Sequence, residues 1–184
     1  FDTNKQTPAD GAAQDYFGTS IALQGNVAII GAQGDDDQGT DSGAAYVYVS
    51  HDGNTWVEHS KLVASDPASL FWFGITADIS DNVAIISRMR DNGNASNSGS
   101  AYIFAENGSG SWLEQDKLIP SDGAVADNAG RVAISGNVAV LGSEKHDAGG
   151  TDAGAVWVFA NNGGSEWTEQ TKLMSSDIEA GDKF

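Results

Sequence analysis

The stretch GAAYVYV at residues 43–49 decides the fold of this 184-residue chain, because it recurs twice along the sequence. It returns as GSAYIF at residues 99–104 and as GAVWVF at residues 154–159. Alternating small, aromatic and β-branched residues are typical of a β-strand. The first aromatic residues of the three copies lie 56 and then 55 residues apart. This spacing predicts tandem structural repeats of about 55 residues.

Other features of the sequence follow the same period. They are the tryptophans Trp56, Trp112 and Trp167, the Lys-Leu pairs at 61–62, 117–118 and 172–173, the Asn-Val-Ala runs at 26–28, 82–84 and 137–139, and the Ser-Asp pairs at 65–66, 121–122 and 176–177. An Ala-Asp pair at 9–10 extends the last series backwards. We therefore interpret residues 17–72, 73–128 and 129–183 as three copies of one unit, and residues 1–16 as the end of a preceding unit and its linker.

Each unit has the pattern of four strands. In the first unit these are predicted at residues 20–23, 27–32, 44–49 and 55–62. Gly25 and Asn26 separate the first two strands, and both residue types tolerate the positive φ angles of a two-residue hairpin turn. The three prolines, Pro8, Pro67 and Pro120, fall between units, where no strand loses a hydrogen bond. The sequence thus predicts one four-stranded antiparallel sheet per unit.

A four-stranded sheet repeated in tandem is the blade of a β-propeller, so the predicted fold class is all-β. Three blades leave two blade faces uncovered, and such repeats are stable only against neighbours. We expect an incomplete ring, in which the chain starts at the end of one outer strand and stops where the next unit would begin. Two explanations stay open: further blades of a longer chain, or a homo-oligomer that completes the ring.

Composition excludes several classes of function. The chain has 26 acidic and 9 basic residues, and its net charge of −17 disfavours nucleic acid and anionic membranes as partners. It has no cysteine, which excludes disulfides, cysteine-ligated metals and thiol nucleophiles. No apolar run approaches the ~20 residues of a membrane span, so we predict no membrane insertion. An acidic, cysteine-free surface suits a secreted protein in a salty medium.

The sequence resembles the FG-GAP repeats of integrin-α-like propellers, most closely their bacterial and algal form. The likeness rests on the Phe-Gly pairs at 17–18 and 73–74 and on the Gly-Ala pair at 31–32. Two positions depart from the family pattern: Gln33 replaces a proline, and the third unit has Ala-Gly at 129–130 in place of Phe-Gly. The resemblance implies a propeller in an extracellular protein of adhesion or ligand binding. Such relatives often hold Ca²⁺ between the first two strands. In this sequence the first two strands are joined by a two-residue turn, which has no room for the six to eight oxygen ligands of Ca²⁺. We therefore do not assign the calcium-binding residues of such relatives to this chain.

Acidic residues in the loops between the second and third strands are the metal candidates. They are Asp35, Asp36, Asp37 and Asp41 in the first unit, Asp91 in the second, and Asp147 and Asp152 in the third. Carboxylates converging there would form a weak Ca²⁺ site. However, Asp41, Asn97 and Asp152 share one repeat position beside a glycine, which is also typical of turns in which the side chain binds its own backbone. Both interpretations stay open.

Four residues break the repeat and are candidates for ligand binding. Phe71 and Trp72 place two large aromatic side chains in the linker before the second unit. Exposed, they would form a partner-binding surface; buried, they would plug the end of the propeller. Arg88 and Arg90 are two of the three arginines, and they would bind a carboxylate, sulfate or uronate. The alternative is an internal salt bridge to a neighbouring acidic loop.

Little in the sequence indicates catalysis. The three histidines, His51, His59 and His146, differ in repeat position, and three arginines are few for a sialidase-type site. We therefore predict a non-enzymatic, extracellular binding or adhesion module for a protein or glycan ligand. The first alternative is a structural scaffold or filament subunit that assembles through blade faces. The second is a sugar-active propeller enzyme, because carboxylate pairs across blades are invisible in sequence.

Overall fold

The computed structural model describes residues 5–177 and 179–183, which form twelve β-strands and no helix. The strands are β1 (Phe17–Gln24), β2 (Val27–Ala32), β3 (Ala44–Ser50), β4 (Trp56–Leu62), β5 (Phe73–Ser80), β6 (Val83–Arg88), β7 (Ser100–Glu106), β8 (Trp112–Leu118), β9 (Arg131–Ser135), β10 (Val138–Ser143), β11 (Ala155–Asn161) and β12 (Trp167–Leu173). The predicted all-β class is confirmed. Within the described residues there is accordingly no helix long and apolar enough to cross a membrane.

The strands form three separate four-stranded sheets, each antiparallel and each in sequence order. We call them blade 1 (β1–β4), blade 2 (β5–β8) and blade 3 (β9–β12). The first strands lie side by side, because β5 packs against β1 and β2, and β9 packs against β5 and β6. The three sheets are not closed into a ring. This arrangement confirms the prediction of propeller-type blades in an incomplete array.

The turn between the first and second strands differs from the prediction in one detail. Only the first residue of each two-residue turn has a positive φ, with 58° at Gly25, 54° at Asp81 and 55° at Gly136. The asparagine that follows was also expected to adopt a positive φ, and that expectation was wrong. The hairpin itself is formed as predicted, since Gln24 pairs with Val27 across the turn.

The core lies between blades. Ile29, Val47 and Leu62 of blade 1 belong to one buried cluster with Tyr102 and Phe104 of blade 2. The opposite face of blade 2 contributes Ile85, Ile103 and Leu118 to a second cluster, in which blade 3 supplies Leu141, Trp157 and Phe159. Alternate residues of each strand point to opposite faces of a sheet. Both faces of blade 2 are therefore buried, and this sandwiching explains the nearly continuous apolar character of its middle strands.

Candidate functional site

A repeated polar cluster ties each blade to the linker that leads into it. In blade 2, Lys117 Nζ on β8 lies 2.7 Å from Asp66 Oδ2 in the linker and 2.6 Å from Asp91 Oδ2. The Tyr102 hydroxyl donates to Asp66 Oδ1 at 2.6 Å. We call this arrangement of linker aspartate, third-strand aromatic residue and fourth-strand lysine the latch. It joins the outer edge of a blade to its linker without a covalent bond.

The latch occurs in all three blades. In blade 1, Lys61 Nζ lies 2.8 Å from Asp10 Oδ2, and Tyr46 donates to Asp10. In blade 3, Lys172 Nζ lies 2.5 Å from Asp122 Oδ2. There Trp157 Nε1 replaces the tyrosine hydroxyl and donates to the same aspartate at 2.8 Å. The main partners of Asp10, Asp66 and Asp122 are therefore side chains of the blade that follows each linker.

Backbone N–H groups of the linker are bound by a different acidic residue. Glu114 of blade 2 accepts the N–H and the hydroxyl of Ser65 at 2.9 and 2.7 Å. Glu169 of blade 3 binds the N–H and hydroxyl of Ser121 at 2.8 and 2.7 Å in the same way. Glu58 of blade 1 accepts the N–H of Ala9. Each outer strand thus presents a glutamate and a lysine, three residues apart, that together hold the linker.

The latch shifts the pKa values of its members. Partial burial raises the pKa of Asp66, but the hydrogen bonds donated by Lys117 and Tyr102 more than offset it, so that the pKa lies below 3.8. The pKa of Asp122 is lowered by the same balance of burial against Lys172 and Trp157. Burial would lower the pKa of Lys117, yet its hydrogen bonds to two aspartates raise it. The carboxylates of Asp66 and Asp122 are therefore ionised, and the lysine of each latch balances their negative charge.

The candidate metal residues of blade 1 surround this lysine. Carboxylate oxygens of Asp10, Asp35 and Asp37 lie within 4.8 Å of one another. Lys61 Nζ stands among them, at 2.8 Å from Asp10, 2.8 Å from Asp35 and 2.5 Å from Asp37. The ammonium group thus takes the position that a cation would need. Asp36 faces elsewhere and accepts the N–H of Asp41, so the predicted four carboxylates do not converge.

The remaining metal candidates either lie in turns, where Asp147 binds a backbone N–H, or pair with a lysine, as Asp91 does. Asp147 accepts the N–H of Asp152 at 2.9 Å, as Asn92 does for Asn97 in blade 2. Asp91 is buried against Lys117 and accepts the hydroxyl of Ser100. In each blade, the residue that donates its N–H to this side chain has a left-handed backbone. Its φ is 48° at Asp41, 54° at Asn97 and 52° at Asp152. The side chain that closes each turn is therefore five residues before the predicted one.

Two of the non-repeated residues form an internal pair. Arg88 on β6 is buried, and its guanidinium lies 4.6 Å from the ring centre of Phe71. Its Nη1 donates to the Asp66 carboxylate at 2.9 Å and to the Tyr102 hydroxyl at 2.7 Å. Phe71 stands where the other linkers have Asp15 and Asp127. The two replacements therefore accompany each other, with Arg88 buried and Phe71 half-buried against it.

The other two residues form an external pair. Arg90 lies with its guanidinium carbon 3.4 Å from the ring centre of Trp72, and both side chains are half-buried. Such stacking fixes the planar cation on the indole face. Beside Trp72 is a cleft of about 230 Å³. We call it the rim cleft; it is lined by Gln14, Tyr16, Gln33, Gly34, Asp41 and Trp72. It combines an exposed tyrosine with amide and carboxylate groups.

Sequence reasoning missed one polar constellation in blade 3. His146 stands 55 residues after Asp91, at the repeat position that is aspartate in the other blades. Its Nδ1 lies 2.8 Å from Asp127 Oδ2, while its Nε2 lies 3.2 Å from Lys172 Nζ. The signal in the sequence was the alignment of His146 with Asp35 and Asp91. In blade 3 a buried imidazole thus takes the place of the buried carboxylate that Asp35 and Asp91 supply in the other blades.

Comparison with known families agrees with this repeat architecture. The sequence model of the FG-GAP repeat matches the chain three times, over residues 1–48, 56–104 and 112–159. Each match ends in the third strand of a blade, and the second and third matches begin at the outer strand of the blade before it. The matches together cover well over half of the chain. No curated protein gives a significant match to the chain as a whole.

Proposed function

The chain belongs to the FG-GAP repeat family, and from this premise we propose that it is a non-catalytic, extracellular binding or adhesion module. Repeats of this family are typical of extracellular proteins. The ligand is a protein or a glycan, and it binds at the rim cleft. The observation that carries the proposal is the pair of Trp72 and Arg90 beside exposed Tyr16, because these are residue types that dominate recognition surfaces.

The chemistry of the rim cleft suits a polar ligand with one flat face. Tyr16 offers an exposed ring, and Trp72 presents an indole already held by Arg90. Gln14, Gln33 and Asp41 add hydrogen-bonding groups around it. Aromatic rings with a few convergent polar groups are the usual composition of small-ligand sites. In a chain of net charge −17, Arg90 also gives this end a local attraction for a carboxylate or sulfate group.

The role assigned to the carboxylates supports a binding function over catalysis. The carboxylates of the linker aspartates form ion pairs with the latch lysines. His146 is oriented by Asp127 as in a catalytic triad, but its Nε2 faces Lys172 rather than a hydroxyl. This pair therefore fits a structural role, and we propose no reaction at it.

The test uses this chain and two variants at the rim cleft, one of the lining residue Trp72 and one of Arg90, which stacks on it. Wild type is applied to a printed array of neutral, uronic-acid-bearing and sulfated glycans, and to a panel of extracellular-matrix proteins. We expect binding to at least one of them, and a loss of about tenfold or more for Trp72→Ala and Arg90→Ala. Arg131→Ala removes the same charge outside the cleft and should bind like wild type. Full binding by both cleft variants would contradict the proposed site.

A further inference from the structure

A second cleft lies at the other end of the blades from the rim cleft. The linkers and the loops between second and third strands lie at one end of each sheet, here called the linker end. The turns between first and second strands and between third and fourth strands lie at the other, here called the turn end. At the turn end a cleft of about 350 Å³, here called the turn-end cleft, opens between blades 1 and 2. Val27 at the start of β2 lines it, whereas Gln33, just past the end of β2, lines the rim cleft.

The polar contacts between blades differ at the two interfaces. Three side chains of blade 2 bind backbone N–H groups of blade 3: Asp78 accepts that of Ile134, Ser80 that of Gly136 and Asp116 that of Trp167. The same positions of blade 1 hold Ala22, Gln24 and Ser60. The Ser60 hydroxyl lies 2.9 Å from Nδ1 of its neighbour His59, in the same strand. The aspartates that tie blade 2 to blade 3 therefore have no equivalent between blades 1 and 2.

The apolar wall of the turn-end cleft follows from this difference. Trp167 on blade 3 is 8% exposed, whereas the equivalent Trp112 on blade 2 is only half-buried. Trp112, Val27 and Val49 pack against the core cluster between blades 1 and 2, and all three line the cleft. The cleft is therefore an extension of the core, in which an indole and two valines remain partly open to solvent.

A carboxylate and an imidazole stand at the edge of this apolar wall. Glu106, the last residue of β7, accepts the N–H of Gly110 and is thereby held at the cleft. His59 Nε2 approaches the same glycine from blade 1, since a Cβ atom on Gly110 would lie 3.2 Å from it. Both residues depart from the repeat: the other blades have Ser50 and Asn161 in place of Glu106, and Gln115 and Gln170 in place of His59. Repeat architecture therefore does not account for them.

The distribution of charge favours a cation at this site. The nine basic residues of the chain lie in the linkers, in the loops between second and third strands, or at the strand ends beside them. The turns next to the cleft carry Asp52 and Asp81 instead. Among the described residues that line the cleft, Glu106 is the only carboxylate, and there is no lysine or arginine. The turn end thus attracts positive charge, and Glu106 is the group that a cation meets inside the cleft.

We propose that the turn-end cleft binds a small organic cation with an aromatic body, of the arylalkylamine class. The ammonium group donates hydrogen bonds to the Glu106 carboxylate, which keeps free lone pairs beside its bond to Gly110. The aromatic body packs against Trp112, Val27 and Val49, and the indole adds attraction for the cation. The volume of the cleft falls within the range of small-molecule sites, ~300–1,000 Å³. This site is independent of the function proposed for the rim cleft.

Three indole compounds of similar size test the proposal on the wild-type chain. Tryptamine, tryptophol and indole-3-propionate end in an ammonium, a hydroxyl and a carboxylate group. In a titration followed by ¹H–¹⁵N NMR, we expect tryptamine to give saturable shifts of the Gly110 N–H and the Trp112 indole N–H at millimolar concentration or below. Tryptophol should bind about tenfold more weakly, because its hydroxyl forms no charge-assisted bond. Indole-3-propionate should not shift these signals.

Two matched variants assign the charge to one residue. Glu106→Gln keeps an oxygen that accepts the Gly110 N–H, and should bind tryptamine about tenfold more weakly while its affinity for tryptophol is unchanged. Glu166→Gln removes an equivalent charge at the turn end of blade 3, outside the cleft, and should bind tryptamine like wild type.

Several results would overturn the proposal. They are the absence of saturable shifts with tryptamine, equal affinities of wild type for tryptamine and tryptophol, and shifts confined to the rim cleft. Equal losses in Glu106→Gln and Glu166→Gln would also overturn it, because they would show only a general attraction of an acidic chain for a cation. The comparison of the three compounds on wild type needs no variant, so it remains decisive if a substitution impairs folding.

Discussion

The ammonium nitrogen of Lys117 lies 2.7 Å from the carboxylate of Asp66, and the two residues are 51 positions apart. Lys117 is the penultimate residue of β8, the outer strand of blade 2, and Asp66 lies in the linker that enters the same blade. The contact thus joins the outer strand of blade 2 to the linker that leads into this blade. Pro67 directly follows Asp66, and Pro120 comes three residues after Lys117, so the latch lies where the chain enters and leaves blade 2.

Removal of the latch lysine should destabilise the protein. Lys117→Met keeps the apolar stem of the side chain but removes the closer cationic partner of the buried Asp91, which then has only Arg88, at 3.9 Å. We expect a loss of about 1–3 kcal/mol in the free energy of unfolding, the range for a buried polar group that loses its partner. Urea unfolding measures it. Lys145→Met, in an exposed loop, should change stability by less than about 0.5 kcal/mol; equal losses would contradict the role of the latch.

Stability should fall in acid because of the latch aspartates. The pKa of Asp66 in the folded protein lies below 3.8, and a depressed pKa stabilises the fold at pH values above the unfolded pKa. This contribution is lost as pH falls through the folded pKa, and so below about pH 4. Urea unfolding between pH 7 and pH 2 should show the decrease. In Asp66→Asn the free energy of unfolding should be lower at pH 7 and should decline less below pH 4. A decline parallel to that of wild type would show that Asp66 is not the source of the acid sensitivity.

Removal of the lysine in blade 1 should create an affinity for Ca²⁺. In Lys61→Gln the carboxylates of Asp10, Asp35 and Asp37 lose the ammonium between them, and three converging carboxylates suit a hard cation. Millimolar CaCl₂ should raise the melting temperature of this variant by about 2–4 °C, the shift for about 1 kcal/mol in a chain of this size. Lys172→Gln is the matched control, because His146 replaces one carboxylate there. An equal shift in both variants would contradict the prediction.

Gly31 on β2 should tolerate no side chain. A Cβ atom there would lie 1.9 Å from the carbonyl oxygen of Gly74 in the neighbouring blade. Gly31→Ala therefore forces blades 1 and 2 apart, and we expect a loss of about 2–3 kcal/mol. Gly142 holds the same position in blade 3, where the nearest atom would be 3.5 Å away. Gly142→Ala should be close to neutral in thermal unfolding, and an equally large loss would refute the explanation by blade contact.

Arg88 should contribute less to stability than its burial suggests. Among the described residues, its Nε and Nη2 atoms are buried without a hydrogen-bond partner, so the desolvation of the guanidinium is only partly compensated. Arg88→Met leaves the bonds of Asp66 to Lys117 and Tyr102 in place. We expect a loss below about 1 kcal/mol in urea unfolding, smaller than for Lys117→Met. A larger loss in Arg88→Met than in Lys117→Met would mean that the contact of Arg88 with Phe71 stabilises the protein more than the latch lysine does.

The candidate site was predictable in its residues but not in their partners. Phe71, Trp72, Arg88 and Arg90 were identifiable because they break the repeat. Only the structure separates them into a pair of the buried Arg88 with Phe71 and a pair of Arg90 with Trp72 beside the rim cleft, since the direction of a side chain depends on the local backbone. Trp72 has a left-handed backbone with φ of 58°, an angle that the sequence pattern gives no reason to expect of a large aromatic residue.

The sequence by itself determined the repeat, the strand order and the predominance of β-structure, because periodic apolar and turn residues act locally. Tertiary structure decided the fate of the acidic residues. Asp35 and Asp37 read as metal ligands along the chain, yet Lys61 arrives from the fourth strand and occupies the space between them. It also decided which leucines are covered, since Leu118 and Leu173 occupy equivalent positions and differ only in having a neighbouring blade. Such contacts join residues far apart in sequence, and no local pattern records them.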